Sequence, residues 1–171
     1  MNNSSNDYPG DDSELKTESV WDYPRPPRLE PTGRRLRVVQ GGVVIGETRH
    51  GLRILETSHP PVYYFPREAL VMELLEPSAA RASFCEFKGM AGYWNLRMPG
   101  GLVLEDVVWS YERPSPKYAA LAGCLAFYAS RVEECWVDEE RVVPQQGDFY
   151  GGWITKNLRG PFKGAPGTRG W

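Results

Sequence analysis

The chain has 171 residues, of which 41% are hydrophobic and 25% charged, and its formal net charge is -2 at pH 7. These values predict one globular domain and argue against a general nucleic-acid binder or a membrane-surface protein. No apolar run is long enough to span a bilayer, and residues 1–18 lack the basic and then apolar order of a signal peptide. We therefore expect a soluble, cytoplasmic protein.

The N-terminal region changes character near residue 20. Residues 1–17 are mostly polar and acidic, so we predict a disordered tail over residues 1–19 and a single domain over residues 20–171. The Pro-rich arm at residues 21–27 follows, and we expect its aromatic rings to dock on the domain. The alternative is a proline-rich ligand for a partner protein.

Short runs of β-branched and aromatic residues, separated by Gly and Pro, predict a mainly β protein. A hairpin is indicated by Gly41-Gly42 between two such runs. We expect a single helical turn over residues 66–70 and a short helix over residues 116–121 with Ser115 as its N-cap. The predicted strands are 35–39, 43–47, 52–57, 62–65, 83–88, 92–98, 102–111, 125–128, 132–137 and 141–143.

The three cysteines are Cys85, Cys124 and Cys135, and there is no C-x-x-C motif. This pattern predicts neither a disulfide framework nor a thiolate zinc site, and we expect no metal and no cofactor. Cys85 is either a nucleophile with a pKa lowered by Lys88 or a core thiol. We expect the core thiol, because Cys85 and Lys88 are three residues apart and would point to opposite faces of a strand.

Residues 55–66 contain a carboxylate, two hydroxyls, an imidazole and three aromatic rings within a short stretch of the chain. His59 precedes Pro60-Pro61, so its backbone is held extended at the entrance to a strand. A histidine there can serve as a general base, with Glu56 orienting it and a tyrosine or lysine stabilising developing charge. The alternative is a structural histidine, hydrogen-bonded to backbone, that shapes the Pro-Pro turn.

Several of these segments together carry a family resemblance. Residues 52–56, 59–66, 84–89, 93–94, 149–155 and 160–171 resemble the family catalogued as domain of unknown function 427. One departure is Gly46-Glu47-Thr48, where the family has an Ala-Asp-Ser-like turn.

The resemblance implies a small β-tent (Mss4-like) domain of two antiparallel sheets with one or two short helices. A ligand cleft would lie between the two sheets. Relatives with this fold usually hold zinc on two cysteine pairs, which this chain lacks, so apolar packing must replace the metal.

A nucleotidyltransferase-like label is also attached to the family. Two-metal phosphoryl transfer needs convergent carboxylates, but Glu105 and Asp106 are adjacent and would point apart on a strand, and there is no D-x-D motif. The Gly-rich tail lacks a Walker pattern. Its glycines could form an anion nest with Lys163 and Arg169, or the tail could wrap the domain.

We thus expect one small-molecule pocket in which His59 performs acid–base chemistry, with Glu56 and Tyr63 as its catalytic partners. The alternatives are a non-catalytic binding or protein-interaction module and, more weakly, a nucleotidyltransferase-like enzyme. The expected partner is an unidentified small molecule, with neither nucleic acid nor membrane, and a homodimer is left open. The residues expected to bind the ligand are Ser58, Tyr64, Glu86, Lys88, Tyr93, Trp94, Trp109, Trp153 and Lys163.

Overall fold

The computed structural model describes residues 15–80 and 82–171 and contains mostly short β-strands. Most of the predicted disordered tail, residues 1–14, lies outside the described residues. The strands are β1 (Glu18–Ser19), β2 (Arg28–Thr32), β3 (Leu36–Gln40), β4 (Val43–Thr48), β5 (Gly51–Leu55), β6 (Val62–Tyr64), β7 (Leu75–Pro77), β8 (Ser83–Cys85), β9 (Gly89–Arg97), β10 (Val103–Ser110), β11 (Leu125–Phe127), β12 (Glu134–Val137), β13 (Glu140–Arg141), β14 (Val143–Pro144), β15 (Trp153–Ile154) and β16 (Leu158–Arg159). The mainly β class is confirmed.

These strands form three larger sheets and two two-stranded pairs. The five-stranded sheet has the order β11-β10-β9-β7 with β8 beside β9, the four-stranded sheet has the order β13-β12-β3-β4, and the three-stranded sheet has the order β2-β5-β6. The pairs are β14-β15, which is antiparallel, and β1-β16, which is parallel. The described strands are thus divided among more sheets than the two that the family resemblance implies.

The predicted hairpin of β3 and β4 is confirmed. Both turn glycines adopt the left-handed conformation, with φ of 56° at Gly41 and 74° at Gly42, which residues other than Gly, Asn or Asp rarely accept. The turn therefore sets the register that brings Leu36, Val38 and Ile45 into the core.

The helical segments of the described residues are all short 3-10 helices, at Val20–Asp22, Arg67–Ala69, Met72–Leu74 and Pro116–Leu121. Pro116–Leu121 lies where a helix was predicted, but the Ser115 side chain makes no capping hydrogen bond. Inside this segment Tyr118 leaves helical geometry, because its ring is buried and its hydroxyl donates to the Pro27 carbonyl at 2.7 Å.

A hairpin that the sequence predicts between residues 83 and 98 forms, but its first strand is shorter than expected. β8 ends at Cys85, and Glu86, Phe87 and Lys88 form the turn into β9. Cys85 and Lys88 were expected to point to opposite faces of one strand. This alternation does not hold at residues 86–88, because they form a turn.

Two aromatic cores lie on either side of β6 and β10. One contains Phe65, Phe127 and Trp153, whose rings stack in tilted and edge-on contacts. The other contains Tyr64 and Trp109 and lies behind an open cleft. An isolated bridge between Phe65 and Leu125 joins the three-stranded sheet to the five-stranded sheet, so both cores belong to one continuous body.

The two ends of the described chain meet beside this body. The arm at residues 21–27 docks on the domain as predicted, since Tyr23 is buried and the Trp21 ring packs edge-on against Trp171. The Trp21 indole N–H also donates to the Pro161 carbonyl at 2.8 Å. Glu18 and Ser19, at the end of the segment predicted to be disordered, pair with Leu158 and Arg159.

Candidate functional site

A cleft of about 320 Å³ opens between the three-stranded sheet, the β8–β9 hairpin, β10 and the C-terminal segment. Its walls carry aromatic rings, one imidazole, one thiol and four charged side chains. The lining residues used below are Glu56, His59, Pro60, Tyr64, Phe84, Cys85, Glu86, Lys88, Tyr93, Trp109, Tyr111, Tyr128, Gln145, Phe149, Tyr150, Gly151 and Lys163.

The turn before Pro60 fixes the position of His59. Ser58 has φ of 71°, which reverses the chain, and its backbone N–H donates to the Val20 carbonyl at 3.0 Å. The Ser58 carbonyl accepts a hydrogen bond from the Lys163 N–H at 2.9 Å, and the Thr57 hydroxyl donates to the Tyr23 carbonyl at 2.6 Å. Both the N-terminal arm and the C-terminal segment thus hold this turn.

The imidazole of His59 has one nitrogen occupied. Nδ1 lies 2.9 Å from the Thr57 carbonyl, an acceptor only, so Nδ1 carries the hydrogen and Nε2 carries the lone pair of the neutral ring. The side chain is 15% exposed and packs edge-on against the Tyr150 ring. This arrangement leaves the lone pair of Nε2 as the one that can accept a proton.

Burial lowers the pKa of His59 from its ordinary value of 6.5. The Glu56 carboxylate and the Thr57 carbonyl act in the opposite direction, whereas the positive charges of Lys163 and Arg25 lower the pKa further. His59 is therefore neutral, in its basic form, at pH 7.

Glu56 has a smaller part in orienting His59 than the sequence suggests. Its Oε2 lies 3.6 Å from His59 Nδ1, beyond hydrogen-bond distance, and 3.3 Å from the Arg25 guanidinium. The prediction that Glu56 orients the ring is therefore corrected: the Thr57 carbonyl holds Nδ1, because the left-handed residue Ser58 folds that carbonyl back onto the ring.

The deepest wall of the cleft is aromatic. The Trp109 ring lies 4.5 Å from the Tyr128 ring between centroids, and its indole N–H donates to the Tyr64 hydroxyl at 3.4 Å. Burial is the main cause that raises the pKa of Tyr64, Tyr111 and Tyr128, so these phenols stay protonated at neutral pH. They can donate hydrogen bonds but cannot act as bases there.

Glycine allows the backbone to approach this wall closely. A Cβ added at Gly151 would lie 2.1 Å from the Trp109 ring, and one added at Gly152 would lie 2.6 Å from Pro60. Any side chain at these positions would displace the Trp109 ring or the His-Pro-Pro turn.

Of the residues expected at the site, the structure brings eight together. Glu56, His59, Tyr64, Glu86, Lys88, Tyr93, Trp109 and Lys163 line the same cleft.

Four others lie outside the cleft. Tyr63 is 2% exposed and packs in the other core against Trp153, whose indole N–H donates to the Phe127 carbonyl. Trp94 faces the opposite side of its sheet, under the Arg67 guanidinium. Ser58 is fully buried, and its hydroxyl makes no hydrogen bond within the described residues.

Cys85 and Tyr128 are among the contributors to the site that the sequence reasoning missed. Cys85 was expected in the core but is half-buried and lines the cleft, because β8 ends there and the hairpin turn leaves it uncovered. Tyr128 arrives from beyond β11, and no local pattern indicates its proximity to Trp109.

The arrangement of the potential metal ligands bears on whether the structure could hold a metal ion. Within residues 15–80 and 82–171, no three His, Cys, Asp or Glu side chains lie close enough together to hold a metal ion.

No helix in the same described ranges is both long and apolar enough to cross a membrane.

Comparison with known proteins gives one family match. A family model described as a domain of unknown function (DUF427), labelled NTP_transf_9, matches residues 28–138. This range includes His59, Lys88, Trp109 and Tyr128, but not Tyr150 or Lys163. A comparison with curated proteins found no match.

Proposed function

The chain belongs to the family described as a domain of unknown function (DUF427), and from that premise we propose that its cleft performs acid–base chemistry on a small molecule. His59 is the general base in this proposal. Its Nε2 removes a proton from the bound substrate and returns it later in the reaction.

The observation that carries this proposal is the Nδ1 contact of His59 with the Thr57 carbonyl at 2.9 Å. A base needs a free lone pair, a defined orientation and a pKa near or below the working pH. The contact fixes the tautomer with Nε2 unprotonated, while burial together with Lys163 and Arg25 keeps the ring neutral. All three requirements therefore meet in one side chain at the wall of the cleft.

Other groups of the cleft suit the negative charge that proton removal creates. Lys88 and Lys163 supply positive charge, and the protonated phenols of Tyr64 and Tyr111 are hydrogen-bond donors. Donors placed in a partly enclosed site before the reaction stabilise developing anions more strongly than water does.

A generic proton-abstraction probe tests the proposal without knowledge of the natural substrate. We choose nitrobenzisoxazole, a flat molecule that opens when a base takes its ring C–H proton. The electron pair of that bond forms the nitrile, the N–O bond breaks, and the charge leaves on the phenolate oxygen, whose absorbance is followed.

We expect a protein-dependent rate that falls at least about tenfold in His59→Gln. His50→Gln is the matched control, because His50 is the other histidine of the chain and lies in an exposed loop. Equal rates in the two variants would contradict a basic role for His59.

The second candidate is a non-catalytic ligand-binding module that uses the same cleft. The extent of its aromatic surface, with Trp109 and Tyr128 in contact at its base, favours this candidate. It predicts ligand binding that His59→Gln leaves intact and no proton removal above the buffer rate.

Two further candidates rank lower. The arm at residues 21–27 is already engaged by its own domain through Trp21 and Tyr23, which weakens its case as a partner-binding segment. Two-metal phosphoryl transfer requires convergent carboxylates, and the described part of the chain brings no such group together.

A further inference from the structure

The charged residues of the cleft leave an excess of positive charge. Glu56 lies 3.3 Å from the Arg25 guanidinium, so a positive charge from outside the lining balances its carboxylate. Lys88 and Lys163 lie within 4.0 Å of no carboxylate of the described residues. The remaining acid is Glu86, which lies exposed on the β8–β9 turn.

Both lysines hold their ammonium groups against aromatic rings of the cleft. Lys163 Nζ lies 5.7 Å from the centroid of Tyr150, and Lys88 Nζ lies 5.9 Å from the centroid of Tyr111. A cation over a ring face is held there by the ring quadrupole without losing its hydrogen-bond donors to a carboxylate. The two ammonium groups thus lie beside aromatic rings and remain available to an anion.

The apolar surface next to them is aromatic and partly open. Trp109 and Tyr128 form its base, and Gly151 has no side chain to cover the Trp109 ring. At the mouth, Phe84 is 70% exposed and Phe149 is 67% exposed, although both line the cleft. The Phe149 ring packs edge-on against Tyr150 at 5.6 Å between centroids, so it extends the aromatic lining of the cleft outward.

We propose that the cleft binds a flat aromatic anion. Its rings lie along Trp109 and the neighbouring tyrosines, and its acidic group reaches Lys88 and Lys163. The volume of about 320 Å³ suits a molecule of one or two fused rings with one acidic substituent. This inference rests on the proposed function, since it names the substrate class of the same cleft.

Isothermal titration calorimetry with four probes of related shape tests the inference on the full chain. Naphthoate carries the rings and a carboxylate, and naphthyl phosphate carries the rings and a phosphate. Naphthalenemethanol keeps the rings without charge, whereas cyclohexanecarboxylate keeps the charge without a flat ring. The first two probes distinguish the two sources of the anionic group.

We expect at least one of the two aromatic anions to bind, and to bind at least about tenfold tighter than the neutral and non-aromatic probes. Lys88→Gln and Lys163→Gln should each weaken that binding by about three- to tenfold. Lys117→Gln is the matched control, because Lys117 also lies over a tyrosine, 5.7 Å from the centroid of Tyr118, but does not line the cleft. It should leave the affinity unchanged.

Three outcomes overturn the inference. They are equal binding of naphthalenemethanol and naphthoate, equal affinities of the cleft variants and Lys117→Gln, and no binding of either aromatic anion at about 1 mM. Failure of the proposed function looks different: naphthoate binds, Lys88→Gln and Lys163→Gln weaken it, but His59→Gln does not change the rate of proton abstraction from nitrobenzisoxazole. The cleft would then be a binding site without acid–base chemistry.

Discussion

The backbone N–H of Lys163 donates a hydrogen bond to the carbonyl of Ser58 over 2.9 Å, which ties the C-terminal segment to the turn that carries His59. The Lys163 carbonyl in turn accepts a hydrogen bond from the Gln145 side chain at 2.8 Å. These backbone contacts hold the Lys163 side chain near the imidazole, where its charge is one cause of the lowered pKa of His59.

Replacing Lys163 should therefore change the protonation of His59. Lys163→Gln removes a positive charge that disfavours the imidazolium, so we expect the pKa of His59 to rise. The backbone contacts to Ser58 do not need the side chain and should persist. NMR titration of the two histidines measures the effect, with His50→Gln to assign the signals and Lys117→Gln as the charge control. A downward shift would contradict the assigned electrostatics.

The stability of the protein should depend on His59 in acid. The folded state lowers the pKa of His59 below 6.5, while the unfolded chain titrates near that value. Below about pH 6.5 the unfolded state therefore binds a proton that the folded state does not, and the free energy of unfolding falls until the folded pKa is reached.

His59→Gln should remove this part of the pH dependence, and above pH 6.5 the His59 titration contributes nothing to it. The charged groups that face His59 are Glu56, Lys163 and Arg25, and His59→Gln leaves all three in place. Urea denaturation at several pH values compares the two proteins. Parallel curves for both would refute the lowered pKa.

A side chain at Gly151 should damage the aromatic wall. The Cβ of Gly151→Ala would lie 2.1 Å from the Trp109 ring, which is packed against Tyr128 and Tyr64 and has little room to move. We expect a loss of about 1–3 kcal/mol in the free energy of unfolding, with a change in tryptophan fluorescence. Gly170→Ala, where nothing lies within 4 Å, is the control and should cost less than about 0.5 kcal/mol. Equal losses of stability in Gly151→Ala and Gly170→Ala would show that the Trp109 ring can move to accommodate the added Cβ.

Ser58 should tolerate glycine and gain from it. Its φ of 71° is strained for a residue with a side chain, and its fully buried hydroxyl has no partner in the described structure. Relief of both costs outweighs the added entropy of glycine in the unfolded chain, so Ser58→Gly should raise the free energy of unfolding by about 1 kcal/mol. Thermal denaturation tests this. Ser58→Ala removes the hydroxyl but keeps a side chain at the left-handed position, so it measures the cost of the unpaired hydroxyl alone. A destabilised glycine variant would mean that the hydroxyl has a partner.

The sequence predicts the local parts of the cleft better than the distant ones. His59 is identified by the Pro residues that follow it. Glu86 and Lys88 are identified by the strand face that they were expected to share, although the structure places both in the turn after β8. Adjacent strand residues face opposite sides, so the pairs Tyr63–Tyr64 and Tyr93–Trp94 could each supply one cleft residue at most. Tyr93 lines the cleft because the strand register places it opposite Trp109, and Tyr64 lines it because its ring packs edge-on against Trp109.

Other features depend on contacts between distant segments. The carbonyl of Thr57 becomes the partner of His59 because of a left-handed residue that no residue type in the sequence requires. Tyr128 reaches Trp109 through the pairing of β10 with β11, and Lys163 arrives through the tail. Such long-range pairings depend on the whole fold rather than on any local pattern.

The pH dependence of the proton-abstraction rate with nitrobenzisoxazole tests the central claim most directly. A base with the lowered pKa of His59 predicts a rate that rises through a midpoint below pH 6.5 and is level at neutral pH, since the buried phenols stay protonated there. His59→Gln should lose this profile, and His50→Gln should keep it. A rate that rises only in alkali, or a profile that survives in His59→Gln, would show that another group is the base.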